Sequence, residues 1–471
     1  MPVIQRQGRG TRGRVVAVGF GLLAGLTLAG PTTAQQARAG AGDAIAIMDT
    51  LDALPTNGLW PGFKPDSVPA AIFDGEHTYL FRHPAPPANF KPLAGRPDVR
   101  VTPGLDAAVR ANSFASVNGV LTAVVMLNLL SDYPTARDRA GVVLHESFHV
   151  FERRAHPDWG ANEFDLFVYP VSAARPLALR RLENRALRNA LAAATPEKRA
   201  AWAAAAMQIR QERFAALPPS AAAYERGTEL MEGLAQWIQH RATGTLTGAA
   251  PLPDTGYAPA DVRLRAYATS LAIARLLDAL VPGWQDGVDN GRTASLDQAL
   301  AAGLHQRFPD VKPADWRGGL PAALRRATAQ TTALVARRDS IRRAFMTRPG
   351  WRIEVLAAEG HPLRLRGMDP MNITRLAGNE LLHTRWLRLG TPHDTLEVLD
   401  GSALTDGAGT HPLADGIRSA TATGLEQPTI DRTDQVVTVT APGFKGSFTG
   451  AHVNMDRQAQ VVRIRLAQPA P

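Results

Sequence analysis

Apolar and polar positions change their period twice along the chain. From Asp43 to Leu130 short apolar runs alternate with Pro and Gly punctuation. Residues 70–75, 78–81 and 99–101 are such runs, and they predict strands of a small sheet after a small-residue linker at 35–42. The strongest strand candidate is 117–127. It is either an edge strand, whose free backbone groups could pair with an extended peptide, or an ordinary buried strand. From Thr135 to about Met346 the pattern is helical, with predicted helices opening at Pro176, at Thr195-Pro196-Glu197, near Ser220, near Ala258, at Thr293 and at Pro313. After Pro349-Gly350 the period becomes two: 351–355, 363–366, 395–398, 436–439 and 461–465 alternate apolar with polar residues. The expected class is α+β: a sheet part at 43–130, a helical part at 131–346 and an all-β sandwich or barrel at 350–471.

The chemistry lies in Leu144-His145-Glu146-Ser147-Phe148-His149-Val150, at the junction of sheet and helices. Asp132, Pro134 and Thr135 form a helix start, with Asp138 placed as in a capping box, so a helix is expected over 136–155 that stops at His156-Pro157. His145 and His149, at i and i+4, share a face and can reach one metal ion. Glu146 can take a proton from a water held there. The plain alternative is a coincidental pair of helix histidines. Val142, Val143, Phe148 and Phe151 would bury this helix, and buried polar groups need partners, a need that Zn²⁺ meets.

With 471 residues the chain holds two or three domains, and it has no cysteine. Disulfides, cysteine nucleophiles and Cys-ligated zinc are thereby excluded, so any metal is held by His and carboxylates. Arg6, Arg9, Arg12 and Arg14 precede the apolar run 15–29, the layout of a secretory signal peptide spanning 1–34; the alternative is an uncleaved membrane anchor, for which the run is short. Removing it takes away four arginines and lowers the formal charge from +9 to +5. The mature chain is then expected to be secreted or periplasmic, with no membrane span. No Lys/Arg cluster interleaves with aromatics, so nucleic acid is not an expected partner.

A catalytic zinc needs a third protein ligand. Thr228-Glu229-Leu230-Met231-Glu232-Gly233-Leu234-Ala235-Gln236-Trp237 resembles the segment of the gluzincin metallopeptidases, the group of thermolysin and aminopeptidase N, that carries this ligand on a later helix. The resemblance implies a zincin-like fold and puts the ligand on Glu232. The long gap after His149 is accounted for by an inserted helix pair near 176–217. Glu225, Glu229 and Glu232 share one helix face, which is either a solvated acidic face or a buried one. Glu229 is the expected partner of a zinc-bound histidine, and the alternative third ligand. Tyr267-Ala268-Thr269-Ser270-Leu271-Ala272 with Leu276-Leu277-Asp278 is similar to a segment of the aminopeptidase N and glycyl aminopeptidase families. That resemblance gives Tyr267 a hydrogen bond to the oxyanion, with Tyr224 as a second candidate. Ser270 stands where those families usually have glycine, and their Gly-x-Met-Glu-Asn segment has no counterpart here. His156, seven residues after His149 and before proline, is the weaker choice of ligand.

The expected function is hydrolysis of peptide or protein substrates by a secreted zinc metallopeptidase. Two alternatives stay open: a catalytically inactive peptidase-like binding protein of the cell envelope, whose β-domain binds the ligand, and a zinc hydrolase of non-peptide substrates.

Overall fold

A computed structural model of the chain describes residues 40–245, 252, 258–369 and 372–468. The expected signal peptide at 1–34 lies outside the described residues. Among these residues no helix is long and apolar enough to cross a membrane. The architecture is α+β, with helices followed by an all-strand C-terminal region. The chain forms two compact units. One runs through Trp159 and takes in Leu234–Ala249; the other takes in Gly160–Gly233 and Ala250–Pro471.

The first unit opens with a helix the sequence reading passed over, α1 (Ala41–Ala53), where a linker and a sheet region were expected. The signal was present: Ala44, Ile47, Met48 and Leu51 recur at helical spacing, and all are buried. Six strands follow, β1 (Ala70–Phe73), β2 (His77–Phe81), β3 (Lys91–Leu93), β4 (Arg96–Pro103), β5 (Ser113–Val117) and β6 (Val120–Met126), in the order β3-β4-β2-β1-β6-β5. The expected strand at 117–127 is broken at Asn118-Gly119, whose φ values of 44° and 81° make a tight hairpin turn of the kind this dipeptide favours. β6 pairs on both sides, parallel to β1 and antiparallel to β5. It is therefore an inner strand, and the edge on this side of the sheet belongs to β5.

Helix α2 (Ala136–Ala155) has the expected bounds and start: Thr135 Oγ1 accepts from the Asp138 N–H at 3.1 Å, and the Thr135 N–H donates to Asp138 Oδ2 at 3.2 Å. Every residue from 141 to 150 is buried. Trp60 and Phe63 meet Phe148 edge-on, with ring centroids 5.8 and 5.1 Å away, and Trp60 also meets Trp237. At Gly141 a Cβ would lie 2.7 Å from Thr243 Cγ2 and 3.1 Å from Gln239 Cγ. Glycine there lets the helix carrying those two residues lie directly against α2, one turn before His145.

The second unit begins with α3 (Asp165–Val168), α4 (Ala174–Ala192), α5 (Pro196–Ala215) and α6 (Pro219–Thr243); the division between the units falls inside α6. α4 and α5 are the helix pair expected near 176–217. Then come α7 (Val262–Leu280), α8 (Trp284–Asp289), α9 (Leu296–Arg307) and α10 (Leu320–Met346). α6 and α7 approach very closely, since a Cβ on Gly233 would fall 1.9 Å from Ser270 Oγ. The serine that departs from the family pattern thus sits against the glycine that follows Glu232.

The C-terminal region is a sandwich. Strands β7 (Trp351–Leu356), β8 (Arg364–Met368), β9 (Ile373–Arg375), β10 (Glu380–His383), β11 (Trp386–Gly390), β12 (Thr395–Leu399), β13 (Ala403–Gly407), β14 (Ile417–Leu425), β15 (Thr429–Thr433), β16 (Val436–Ala441), β17 (Phe444–Thr449), β18 (His452–Asp456) and β19 (Val461–Arg465) make two sheets, ordered β18-β19-β7-β14-β13-β10-β9 and β15-β16-β17-β12-β11-β8. Ile353, Leu381 and Ile464 of one sheet and Leu387, Val439 and Phe448 of the other belong to one core. The end of α10 is tied on through Phe345, which shares a cluster with Leu382 and Leu404 and whose carbonyl accepts from Thr423 Oγ1.

The Gly233 contact is testable. Gly233→Ala is expected to cost about 1–3 kcal/mol through overpacking. Ser270→Gly in the same chain should recover part of it, even though glycine inside a helix itself costs about 1 kcal/mol. Denaturant titration of both single variants and the double variant checks this; independent, additive losses would refute the contact.

Candidate metal centre

α2 supplies the two histidines. Their Nε2 atoms are 3.1 Å apart, and the rings, nearly perpendicular at 83°, are buried. His149 Nδ1 is 2.6 Å from Glu152 Oε2. A carboxylate at that nitrogen keeps its proton there and leaves the Nε2 lone pair to face His145. Two nitrogens bound to one tetrahedral ion at about 2.0–2.1 Å would stand roughly 3.3 Å apart, close to what is seen. Glu146, on the same helix, is 2 % exposed. Glu152 was missed by sequence reasoning, although its place three residues after His149 put it within reach along the helix.

On α6 the face shared by Glu225, Glu229 and Glu232 is buried, with exposures of 2, 1 and 4 %. The solvated alternative is corrected. The helix pair α4 and α5 is the reason: it carries arginines inward. Arg213 grips Glu225 with two hydrogen bonds of 2.6 and 2.9 Å, Arg210 pairs with Glu229, and both reach Glu183, at 2.7 Å each. Burial alone would raise the Glu183 carboxyl, but Arg213, Arg180 and Arg210 outweigh it and hold it down at about 2. Glu229 goes the other way: burial, only partly offset by Arg210, pushes it up to about 7.

Glu232 points elsewhere. Its Oε1 accepts from Arg263 of α7 at 2.6 Å, and the Tyr267 hydroxyl hydrogen-bonds the same carboxylate. Burial and that neighbouring charge push the Tyr267 phenol well above its ordinary range, so it stays protonated as a donor. The ligand atoms offered by His145, His149 and Glu232 lie within 4.8 Å of one another, and all three residues are buried. This group could hold a metal ion. Two imidazoles and one carboxylate form a donor set of the right kind for a borderline divalent cation.

The other residues singled out from the sequence are accounted for. Glu229 is not in this group; it pairs with Arg210, and the carboxylate found on a candidate ligand imidazole is Glu152. Tyr224 donates to Glu163 Oε2 at 3.2 Å. His156 caps α2 and stacks on Trp159, with centroids 3.8 Å apart. A cavity of about 500 Å³ between α5 and α9, lined by Met207, Phe214, Asp297 and Leu304 among others, includes none of the three donors. The cavity's charged groups are already paired, Arg210 and Arg226 both with Asp297. Comparison of the chain with protein families, curated proteins and solved structures returns no match.

The buried charges make a prediction with a definite sign. Glu183, whose carboxyl is lowered to about 2 in the folded chain, contributes stability that is complete above its ordinary value of 4.5 and is lost as pH falls towards 2. Glu229, raised to about 7, contributes with the opposite sign, losing stability as pH rises from 4.5 through 7. Glu183→Gln is therefore expected to cost about 3–5 kcal/mol at pH 7.5, leaving three buried guanidiniums, of Arg180, Arg210 and Arg213, short of a charge partner. Glu229→Gln should cost clearly less. Denaturation at pH 7.5 and pH 5 compares them; equal losses would refute the assignment.

Proposed function

We propose that the chain is a zinc-dependent metallopeptidase of gluzincin type, secreted or periplasmic, acting on peptide or protein substrates. The carrying observation is the buried convergence of His145, His149 and Glu232, with Glu146 next to the first histidine in sequence. Two imidazoles with one carboxylate are a familiar set for catalytic zinc, where the remaining position is left to water or substrate. The sheet of the first unit followed by α2 fits a zincin-like catalytic part, and the sandwich is an accessory domain suited to a ligand in the cell envelope.

When bound there, zinc supplies a water of lowered pKa and polarises the scissile carbonyl. Glu146 takes the proton of the attacking water and passes it to the leaving amine. Glu152 fixes the ring of His149 and keeps its Nδ1 protonated. Tyr267, held protonated beside Glu232, is the hydroxyl donor suited to negative charge developing on the substrate oxygen.

Metal content of the purified protein, with cleavage of a broad peptide library in the presence and absence of a chelator, tests the reading. Glu146→Gln should keep its metal and lose about 10²–10⁴-fold in hydrolysis. His149→Ala should lose the metal. Glu152→Gln should weaken metal binding by about 10–100-fold. A wild-type protein that binds zinc and cleaves no peptide would end the peptidase reading and favour a binding protein or a hydrolase of other substrates.

A further inference from the structure

Arg263 has no part in the mechanism above, yet it is the cation in contact with the carboxylate proposed as third ligand. The geometry assigns Arg263 as a positioning residue that holds one oxygen of Glu232, so that this side chain offers a metal a single oxygen and a coordination place stays open. The inference rests on the metal-centre reading and adds to it how the ligand is presented.

Arg263 sits between two carboxylates in the second unit. One terminal nitrogen donates to Glu232 Oε1 at 2.6 Å; the other bonds Glu163. Glu163 is in turn held by the Tyr224 hydroxyl, and Glu232 by the Tyr267 hydroxyl. The segment carrying Glu163 lies tight against α6: Gly227 of that helix faces Gly160 so closely that a Cβ would fall 2.3 Å from the Gly160 carbonyl oxygen. The result is a chain of partners, Tyr224–Glu163–Arg263–Glu232–Tyr267, strung across α6, α7 and the 160–164 segment. A planar guanidinium can bridge two carboxylates in this way; an ammonium is a point charge without a fixed fork.

Two physical effects oppose each other here, which makes the proposal decidable. A cation beside a ligand carboxylate repels a metal ion, so by charge alone removing it should tighten binding. As a positioning group it should do the reverse, because partners that orient a ligand typically contribute 10–100-fold to metal affinity. A carboxylate released from Arg263 is also free to chelate through both oxygens, which raises the coordination number.

The experiment uses the full chain, with Zn²⁺ affinity measured by competition with a chromophoric chelator and the visible spectrum recorded at saturating Co²⁺. Arg263→Met is expected to bind Zn²⁺ about 10–100-fold more weakly. Its cobalt bands should be weaker than those of the wild type, as higher coordination gives. Arg263→Lys should restore charge but only part of the affinity and spectrum. Glu163→Gln, which leaves both Arg263 and Glu232 in place, should shift both readouts in the same direction by less, and it serves as the test if Arg263→Met does not fold. A wild type that binds no metal overturns the metal centre together with this inference. Metal bound with unchanged or tighter affinity and an unaltered cobalt spectrum in the variants, whatever their melting temperature, overturns the role of Arg263 alone.

Discussion

Three carboxylates on one face of α6 are removed from water, and much of the second unit is organised by the need to compensate them. A buried carboxylate left alone would take up a proton or force the helix outward. Here Arg210 and Arg213 come from α5, Arg180 from α4 and Arg263 from α7. Each glutamate meets a different guanidinium: Glu225 meets Arg213, Glu229 meets Arg210 and Glu232 meets Arg263. The first two pairs belong to a dense network closed through Glu183. The third stands apart, and its carboxylate is the one that converges with imidazole nitrogens. The division of labour along the helix follows from which cation each residue meets.

Much of this was legible in the sequence, and the failures have physical causes. The bounds of α2 followed from Thr135, Asp138 and His156-Pro157, because caps are local chemistry. The donor set followed from the spacing of His145 and His149 and from the resemblance around Glu232. The loss of Glu229 as partner of a ligand histidine was not legible, because helix periodicity gives a residue's face without saying which cation reaches it from another helix. Glu152 was within reach of sequence reasoning at i+3 from His149. The break of 117–127 into two strands was written in Asn118-Gly119, and the continuous apolar run masked it. Whether β6 lay at an edge depended on long-range pairing with β1, which no local pattern encodes.

The helix pair α4 and α5 shows how an insertion can become structural. From the sequence it explained only a long gap between ligands. In the fold it delivers the arginines that make the face of α6 tolerable in a low-dielectric interior, and two of them, Arg210 and Arg213, lie over the Phe214 ring at 4.7 and 4.6 Å. Removing the pair to mimic a shorter spacer would leave Glu225 and Glu229 without cations. The gap and the acidic face are therefore one feature seen at two levels.

The choice between an enzyme and an inert scaffold turns on Glu146. A structural ion would be satisfied by a closed set of ligands, and the group found among the described residues offers three, one short of the usual closed tetrahedral site. Desolvating a carboxylate costs free energy, and Glu146 is 2 % exposed. In α2 every other residue from 141 to 150 is apolar or small except the two histidines. Glu146 is the one acid in that stretch, and the proposed mechanism gives it the task of carrying the proton of the attacking water.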